Sequence, residues 1–363
     1  MARPTTTRSG CGPATVTASP SPAPRRGRRA ARVLSLLCAV AMPLALLPPQ
    51  VGWMPPIPQV ILLQPALAAL ALGLAVIALV RRDLPSLVMS GLGVILFLAI
   101  WVMPVWPTSA HESVSSAGQA EGQPSAGAPA ADAAAMASDE LTIMTINTHV
   151  GQADPAQILQ LVRDHQVDVL CVQESTVAFA RALADAGASE LLPYRAGEEI
   201  GDMVWSALPL GDPADDAVGY AGAAMAAGTI EALGTRLRVV SVHTCSPTPG
   251  YERLWAESLA DVANVGDADP GALPDVPYVL AGDFNATRAH AALRDVLAAG
   301  FTDAATSVSP LPLATWPRIG PFSGVAPIDH VLTPDGVVAT DVERVHVGDT
   351  DHCGLIVTLR AAS

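Results

Sequence analysis

Between Arg32 and Pro107 the chain carries three apolar runs almost free of charge: VLSLLCAVAMPLALLPP from Val33, VILLQPALAALALGLAVIALV from Val60 and LPSLVMSGLGVILFLAIWVMPVW from Leu84. The second and third are long enough to cross a bilayer, which takes about 20 apolar residues. Nothing polar recurs within them at helical spacing to give a face toward water, so they do not read as helices of a soluble core. The first run is shorter and ends in proline, and alone it has the form of a signal peptide behind a basic stretch. No small-residue cleavage site directly follows it, and two more apolar runs do. The expectation is three membrane helices over 31–106, preceded by a disordered basic tail over 1–30 that has too little apolar surface to bury a core.

Arginine placement orients the helices. Residues 1–83 hold nine Arg and one acid, Asp83, with the Arg clustered from Arg25 to Arg32 and at Arg81 and Arg82, and the loop PQVGWMPPIP carries no positive charge. Positive charge favours the cytoplasmic side, so the N-terminus and the second loop are expected inside and everything beyond Trp106 outside. Trp53, Trp101 and Trp106 fall near the outer boundaries, where interfacial aromatics are favoured. Residues 107–139, rich in Ser, Ala, Gly and Pro, read as a flexible extracytoplasmic tether that holds the rest of the chain off the membrane.

From residue 140 the pattern changes. LTIMTIN, VDVLCVQE, LRVVSVHT, VPYVLAGDFN, PIDHVL and CGLIVTL are short apolar, β-branched runs of strand length. Between them DPAQILQLVRDHQ and YERLWAESLADVANV have helical spacing, the first with Asp154 as N-cap ahead of Pro155. Strands alternating with helices over 140–363 indicate an α/β domain with one core or two packed sheets. Polar residues gather at the strand ends: Asn147, Glu174, His243, Asp283 with Asn285, Asp329, and Asp351 with His352. Taken singly each also fits a cap or a turn, and GDFN alone reads equally well as a turn.

In this order TIN, QE, VHT, GDFNAT, IDHVL and TDH resemble the motifs of the endonuclease/exonuclease/phosphatase superfamily over residues 141–360. Its members include DNase I-like nucleases, abasic-site endonucleases, sphingomyelinases and inositol-polyphosphate phosphatases. The resemblance implies a four-layer α/β sandwich, two mixed β-sheets face to face with helices outside and the active site at one edge. It implies hydrolysis of a phosphoester bond, with Mg²⁺ or Mn²⁺ held by Glu174 and Asp351 and helped by Asn147, the donors a hard cation takes. Asp283 is then expected to orient or deprotonate the attacking water, and Asn285 to hydrogen-bond the phosphate. His352, its tautomer fixed by Asp329, serves as base or cationic clamp, and His243 meets the phosphate or leaving group from the opposite wall. Whether the base is a histidine with its aspartate or a metal-bound water stays open.

His149 is assigned nothing by the resemblance, His330 should point away from Asp329, and Arg288 is either a phosphate contact or an exposed turn residue. Two departures remove anion contacts that relatives carry: Ala207 follows Ser206 where an arginine is common, and Thr350-Asp351-His352 is followed by Cys353 and Gly354. Cys171 lies inside an apolar strand as a buried thiol, whereas Cys245 and Cys353 near the two site histidines form either a disulfide bracing the site or two free thiols.

The charge of the last 224 residues, 11 Arg against 29 acids and no Lys, lacks the basic footprint of a protein gripping duplex DNA along many phosphates. Extracellular nucleic acid, a phospholipid head group and a small phosphate ester remain as substrates, with the lipid bilayer as the one further partner and no protein partner inferred. The reading from another class is a catalytically inactive, tethered binding domain. Such a domain should have lost at least one of Glu174, Asp283, Asp351 or His352, and all four are present.

Overall fold

The computed structural model describes residues 25–102, 139–198, 200–220, 223–309, 312–318 and 324–362. Most of the basic tail, Cys11, Trp106 and the tether lie outside the described residues.

Among the described residues, three helical stretches are long and apolar enough to cross a membrane: Gly27–Leu46, Gln64–Arg81 and Leu84–Trp101. They are built from α1 (Arg25–Ala41) with a tight turn over Met42–Leu46, α4 (Gln64–Arg81) and α5 (Leu84–Val102). Two short helices, α2 (Pro49–Gly52) and α3 (Ile57–Leu62), fill the connection between the first two spans. The apolar run from Val60, expected as one helix, is therefore divided. Pro65 sits in the first turn of α4, and its ring and missing amide hydrogen stop one helix from running through. Beside the break, buried Gln64 ties the helices together: it donates to the carbonyls of Ala41 and Met42 at 3.0 and 3.1 Å and accepts from Trp101 Nε1 at 3.1 Å. Trp101, at the end of the third span, is buried, stacked on Phe97 and packed with Ala45, Ile61 and Ala289. Arg32 pairs with Asp83 at 2.8 Å, and Ser90 donates to Ser35 at 2.8 Å, so these polar groups on the spanning helices have partners, as a bilayer favours.

The remainder is a sandwich of two mixed six-stranded sheets. The strands of the first are β1 (Leu141–Asn147), β2 (Val169–Ser175), β3 (Tyr194–Ala196), β4 (Gly201–Ser206), β11 (Val337–His346) and β12 (Cys353–Ala361), in the order β11-β12-β1-β2-β4-β3. Those of the second are β5 (Gly211–Tyr220), β6 (Ala223–Ala232), β7 (Thr235–His243), β8 (Tyr278–Asp283), β9 (Phe301–Asp303) and β10 (Asp329–Pro334), in the order β5-β6-β7-β8-β10-β9. Each sheet has one parallel pair at its centre, β1 with β2 and β7 with β8, and antiparallel neighbours around it.

Period-two alternation divides each central strand between two cores. Ile143, Cys171, Val239, Val279, Ala281 and Val331 face the space between the sheets. Met144, Ile146, Leu170 and Val172 face outward onto the helix Pro155–Asp164, which starts at Asp154, whose side chain accepts from Ala156 and Gln157 as expected of an N-cap. Val240, Val242 and Leu280 face the helices Glu252–Ala263 and Ala291–Ala298 through Trp255, Leu259 and Leu293. Helix, sheet, sheet and helix make the four layers expected.

One charge pair lies wholly inside. The guanidinium of Arg238 on β7 is paired with the carboxylate of Asp269, both side chains without solvent exposure, and it also donates to Asp212 O and to Thr229 Oγ1. Removing one partner strands the other charge in a low dielectric. Asp269→Ala is expected to lower unfolding stability by about 3–5 kcal/mol, read from chemical denaturation of the purified chain.

Candidate active site

Strand direction brings the strand-end residues to a single edge. β1 and β2 are parallel and end together, placing Asn147 opposite Gln173 and next to Glu174. β7 and β8 end together likewise, with His243 opposite Asp283, and antiparallel β10 begins at that edge with Asp329 paired to Asp283. β12 runs antiparallel to β1, so the Asp351-His352 segment before it returns to the same place. The alternation that sends Ile143, Val239, Val279 and Val331 inward also sends Asn147, His243, Asp283 and Asp329 into the space between the sheets. Beneath them a polar chain, Gln173 Nε2 donating to Ser241 Oγ at 2.9 Å, links the sheets.

Asn147 Nδ2 donates to Glu174 Oε1 at 3.0 Å and across the sandwich to Asp283 Oδ2 at 3.1 Å. Its oxygen accepts from the His149 amide at 2.9 Å, so the amide nitrogen is the atom turned toward the carboxylates. Glu174 sits at a β-bulge with φ +55°, which aims its side chain into the site, and its Oε2 accepts from Val150 N at 2.8 Å. His149, Val150 and Gly151 form a left-handed turn at φ +51°, +55° and +71°. A β-branched residue held there is strained and persists only where its surroundings fix it. The turn brings His149 Nδ1 to 3.3 Å from Asp351 Oδ1, so His149 does face the site.

The β8 end is shaped by Gly282. A Cβ there would lie 1.9 Å from Val242 O on β7, so no larger residue lets the two backbones approach and keeps Asp283 in register with His243. Asp283 Oδ1 then accepts from Asn285 N at 2.8 Å, an Asx turn that leaves Asn285 at φ +48° with its Nδ2 donating to Thr244 O at 3.0 Å. GDFN thus turns directly after the strand, and Asp283 and Asn285 do not lie on one extended segment.

Each site histidine has its own carboxylate. His352 Nδ1 donates to Asp329 Oδ2 at 3.0 Å, while its Nε2 lies 3.7 Å from Asp283 Oδ2. Burial alone lowers the affinity of His352 for a proton, but Asp329, Asp283 and Asp351 outweigh it and push its pKa up to about 10. His243 lies between Glu174 (Nε2 to Oε1, 3.7 Å) and Asp202 (Nδ1 to Oδ1, 3.6 Å). Burial again pulls down, Asp202 pushes up, and the pKa rises to about 9. Asp283 is raised to about 6, chiefly by burial and next by the charge of Asp329.

Asp202 is absent from the sequence reading. Its carboxylate is buried with no hydrogen bond within ordinary length, which leaves His243 as its compensation. The signal was present, an aspartate facing inward two residues before Val204 in the apolar run GDMVWS. Also missed is Trp316, whose Nε1 donates to Asp351 Oδ2 at 3.0 Å, with Arg318 beside it donating to Thr350 O at 2.9 Å.

His330 points away from the site and is buried, donating to Asp303 Oδ2 at 3.0 Å and to Ala286 O at 2.9 Å. Arg288 faces the same aspartate at 3.8 Å. Ser206 pairs with Val169 at the far end of β2, so the arginine missing after it concerns the opposite edge of the sandwich. Cys245 and Cys353 are free thiols, as is buried Cys171. Cys245 packs outside the second sheet while Cys353 lies on β12 of the first, 3.7 Å from His346 Nδ1, which excludes the bracing disulfide.

Asp283, Asp329 and His352 place three donor atoms within 4.8 Å of one another. Both Asp329 oxygens are committed to His352 Nδ1, however, and a protonated imidazole offers no lone pair, so Asp329 and His352 form a hydrogen-bonded ion pair with Asp283 3.7 Å beyond it, not a ligand set. Glu174 and Asp351, flanking the 149–151 turn and partly open to solvent, keep spare oxygen lone pairs and fit a hard divalent cation.

The model of the endonuclease/exonuclease/phosphatase family matches residues 144–352. A humanised D. rerio TDP2 superposes with TM-score 0.52 at 15% identity, covering 62% of this chain and 100% of that one. D. rerio TDP2 complexed with single-strand DNA product gives 0.50 at 15%, with the same coverage. Sphingomyelinase C from Streptomyces griseocarneus gives 0.45 at 19%, covering 61% and 99%. No curated protein matches. The motif-bearing edge, the double mixed sheet and the matched span agree that the chain belongs to the endonuclease/exonuclease/phosphatase family.

Proposed function

We propose that this chain is a membrane-anchored, divalent-metal-dependent phosphodiesterase whose catalytic domain lies outside the cell and whose first substrate class is nucleic acid. The observation that supports it best is a pair of histidines, His352 buried and His243 partly exposed, each raised by its own aspartate, on either side of Asp283 and next to a partly open Glu174. Two imidazolium groups suit a phosphoryl oxygen and a departing alkoxide, because each can donate a proton or hold negative charge. Protonated at neutral pH, neither serves as the base. Asp283 does: an acid near 6 is ionised at pH 7 yet basic enough to take a proton from water. Asn285 orients the phosphate beside it. Glu174 and Asp351 are the residues to hold Mg²⁺ or Mn²⁺, which supplies Lewis-acid polarisation when bound; Asn147, expected beside them, turns its amide nitrogen to Glu174 and holds that carboxylate instead of serving as a ligand.

A second reading, a phospholipid or small phosphate ester, is supported by the engagement of nearby arginines. Arg288 faces Asp303 and Arg318 caps Thr350 O, so neither is turned to a long polyanion. Hydrolysis assays with plasmid DNA, RNA, phospholipid vesicles and bis-p-nitrophenyl phosphate separate the two. Asp283→Asn and His352→Ala are each expected to lower turnover by about 10²–10⁴-fold, and EDTA to abolish it. Loss in neither variant sinks the assignment.

The pH profile follows from the signs. Activity needs Asp283 ionised and both histidines protonated, so kcat/KM should rise through about 6 and fall through about 9, where His243 loses its proton before His352. Asp202→Asn removes the charge that holds His243 up, and the alkaline limb should retreat toward the ordinary 6.5. An unmoved alkaline limb excludes the role given to Asp202.

A further inference from the structure

We infer that the connection between the first two membrane spans, residues 49–62, is a working part of the catalytic unit: it docks on the catalytic domain and positions the loop that carries Asn285.

Three crossings put this connection and the domain that follows the third span on the same side of a bilayer. The two meet through specific bonds. Gln59 Nε2 donates to Pro247 O at 2.7 Å and to Glu252 Oε1 at 2.8 Å. His290 Nδ1 accepts from Thr287 N at 2.9 Å, which puts its proton on Nε2, and Nε2 donates to Pro58 O at 3.0 Å. Apolar contacts flank them: Trp53 packs against the cluster of Trp255 and Leu293, and Ala289 is buried with Ala45, Ile61 and Trp101.

From this seam one step reaches the site. Trp255 meets the His290 ring edge to face at 5.2 Å and donates its Nε1 to Asn285 O at 3.1 Å. The loop 284–290 is thereby gripped at Asn285 by Trp255 and at His290 by the anchor. Trp255 and His290 act through Asn285 and are positioning residues. Beside these bonds the seam opens into a cavity of about 340 Å³ walled by Pro49, Trp53, Trp255 and Ala260, so docking depends on few contacts and is separable by mutation. A domain expected to hang free on its tether is instead seated on the anchor.

The geometry offers a direct test in the full-length chain in lipid nanodiscs. A Cβ at Gly52 lies 3.6 Å from Ala291 Cβ, inside the separation of about 3.5–4.5 Å that a disulfide spans. Gly52→Cys with Ala291→Cys should join the two segments on mild oxidation, seen as a linked peptide by mass spectrometry. Gln59→Glu, which loses both donated bonds and repels Glu252, should speed amide exchange over 284–290. It should also lower kcat roughly tenfold with KM for a soluble ester unchanged, and the engineered disulfide should restore both. A separate failure to form the disulfide, or loop exchange in Gln59→Glu equal to that of the parent, overturns the inference. The kcat arm rests on the phosphoesterase reading. If the parent chain hydrolyses nothing, that reading fails while crosslinking and exchange still decide the docking.

Discussion

Burying carboxylates at the meeting edge of two apolar sheets is the condition to which the rest of this site answers. Asp202, Asp283 and Asp329 are each nearly without solvent contact. An ionised carboxylate there is tolerable only beside a cation or several donors. His243 and His352 supply the cations, and Asn147 and the Asn285 amide supply donors. The same compensation that keeps the domain folded sets the proton affinities, so charge balance and chemistry are one arrangement.

Backbone geometry puts the charges where they compensate. The parallel pairs at the centre of each sheet end at one edge, and a period of two turns every second residue inward. Gly282 and the bulge at Glu174 adjust the last positions, one by admitting the neighbouring backbone and the other by re-aiming a side chain. The hydrogen bond from Asn147 to Asp283 spans the two sheets and fixes their relative position at this edge.

Much of this was legible because apolar runs with strand periodicity carry their polar residue at a countable place. Asn147, His243, Asp283 and Asp329 could be placed on an inward face from the alternation before them, and His330 on the outer one. Asp202 was not, since it opens a short strand and its partner lies 41 residues away at the end of β7. Trp316 and Arg318 come from a Pro-rich loop with no period to read. His149 reaches the site only because three successive residues adopt left-handed backbone, which no local rule assigns to a valine. The Pro-rich loop 49–58 read as a bare connection because the partners of Pro58 and of the neighbouring Gln59, namely Pro247, Glu252 and His290, are distant in sequence. Whether Cys245 and Cys353 pair was left open because spacing along the chain does not show which sheet a residue joins.

The central claim is that Glu174 and Asp351 complete, beside the two histidines, a site for a divalent ion that serves phosphoester hydrolysis. Its most direct test is Mn²⁺ binding to the full-length chain, followed by electron paramagnetic resonance, in the parent and in Glu174→Gln, with Asp303→Asn as a control away from the edge. The account predicts one bound ion, weakened by roughly 10–100-fold in Glu174→Gln and unchanged in Asp303→Asn. Equal affinity in the parent and Glu174→Gln would contradict it.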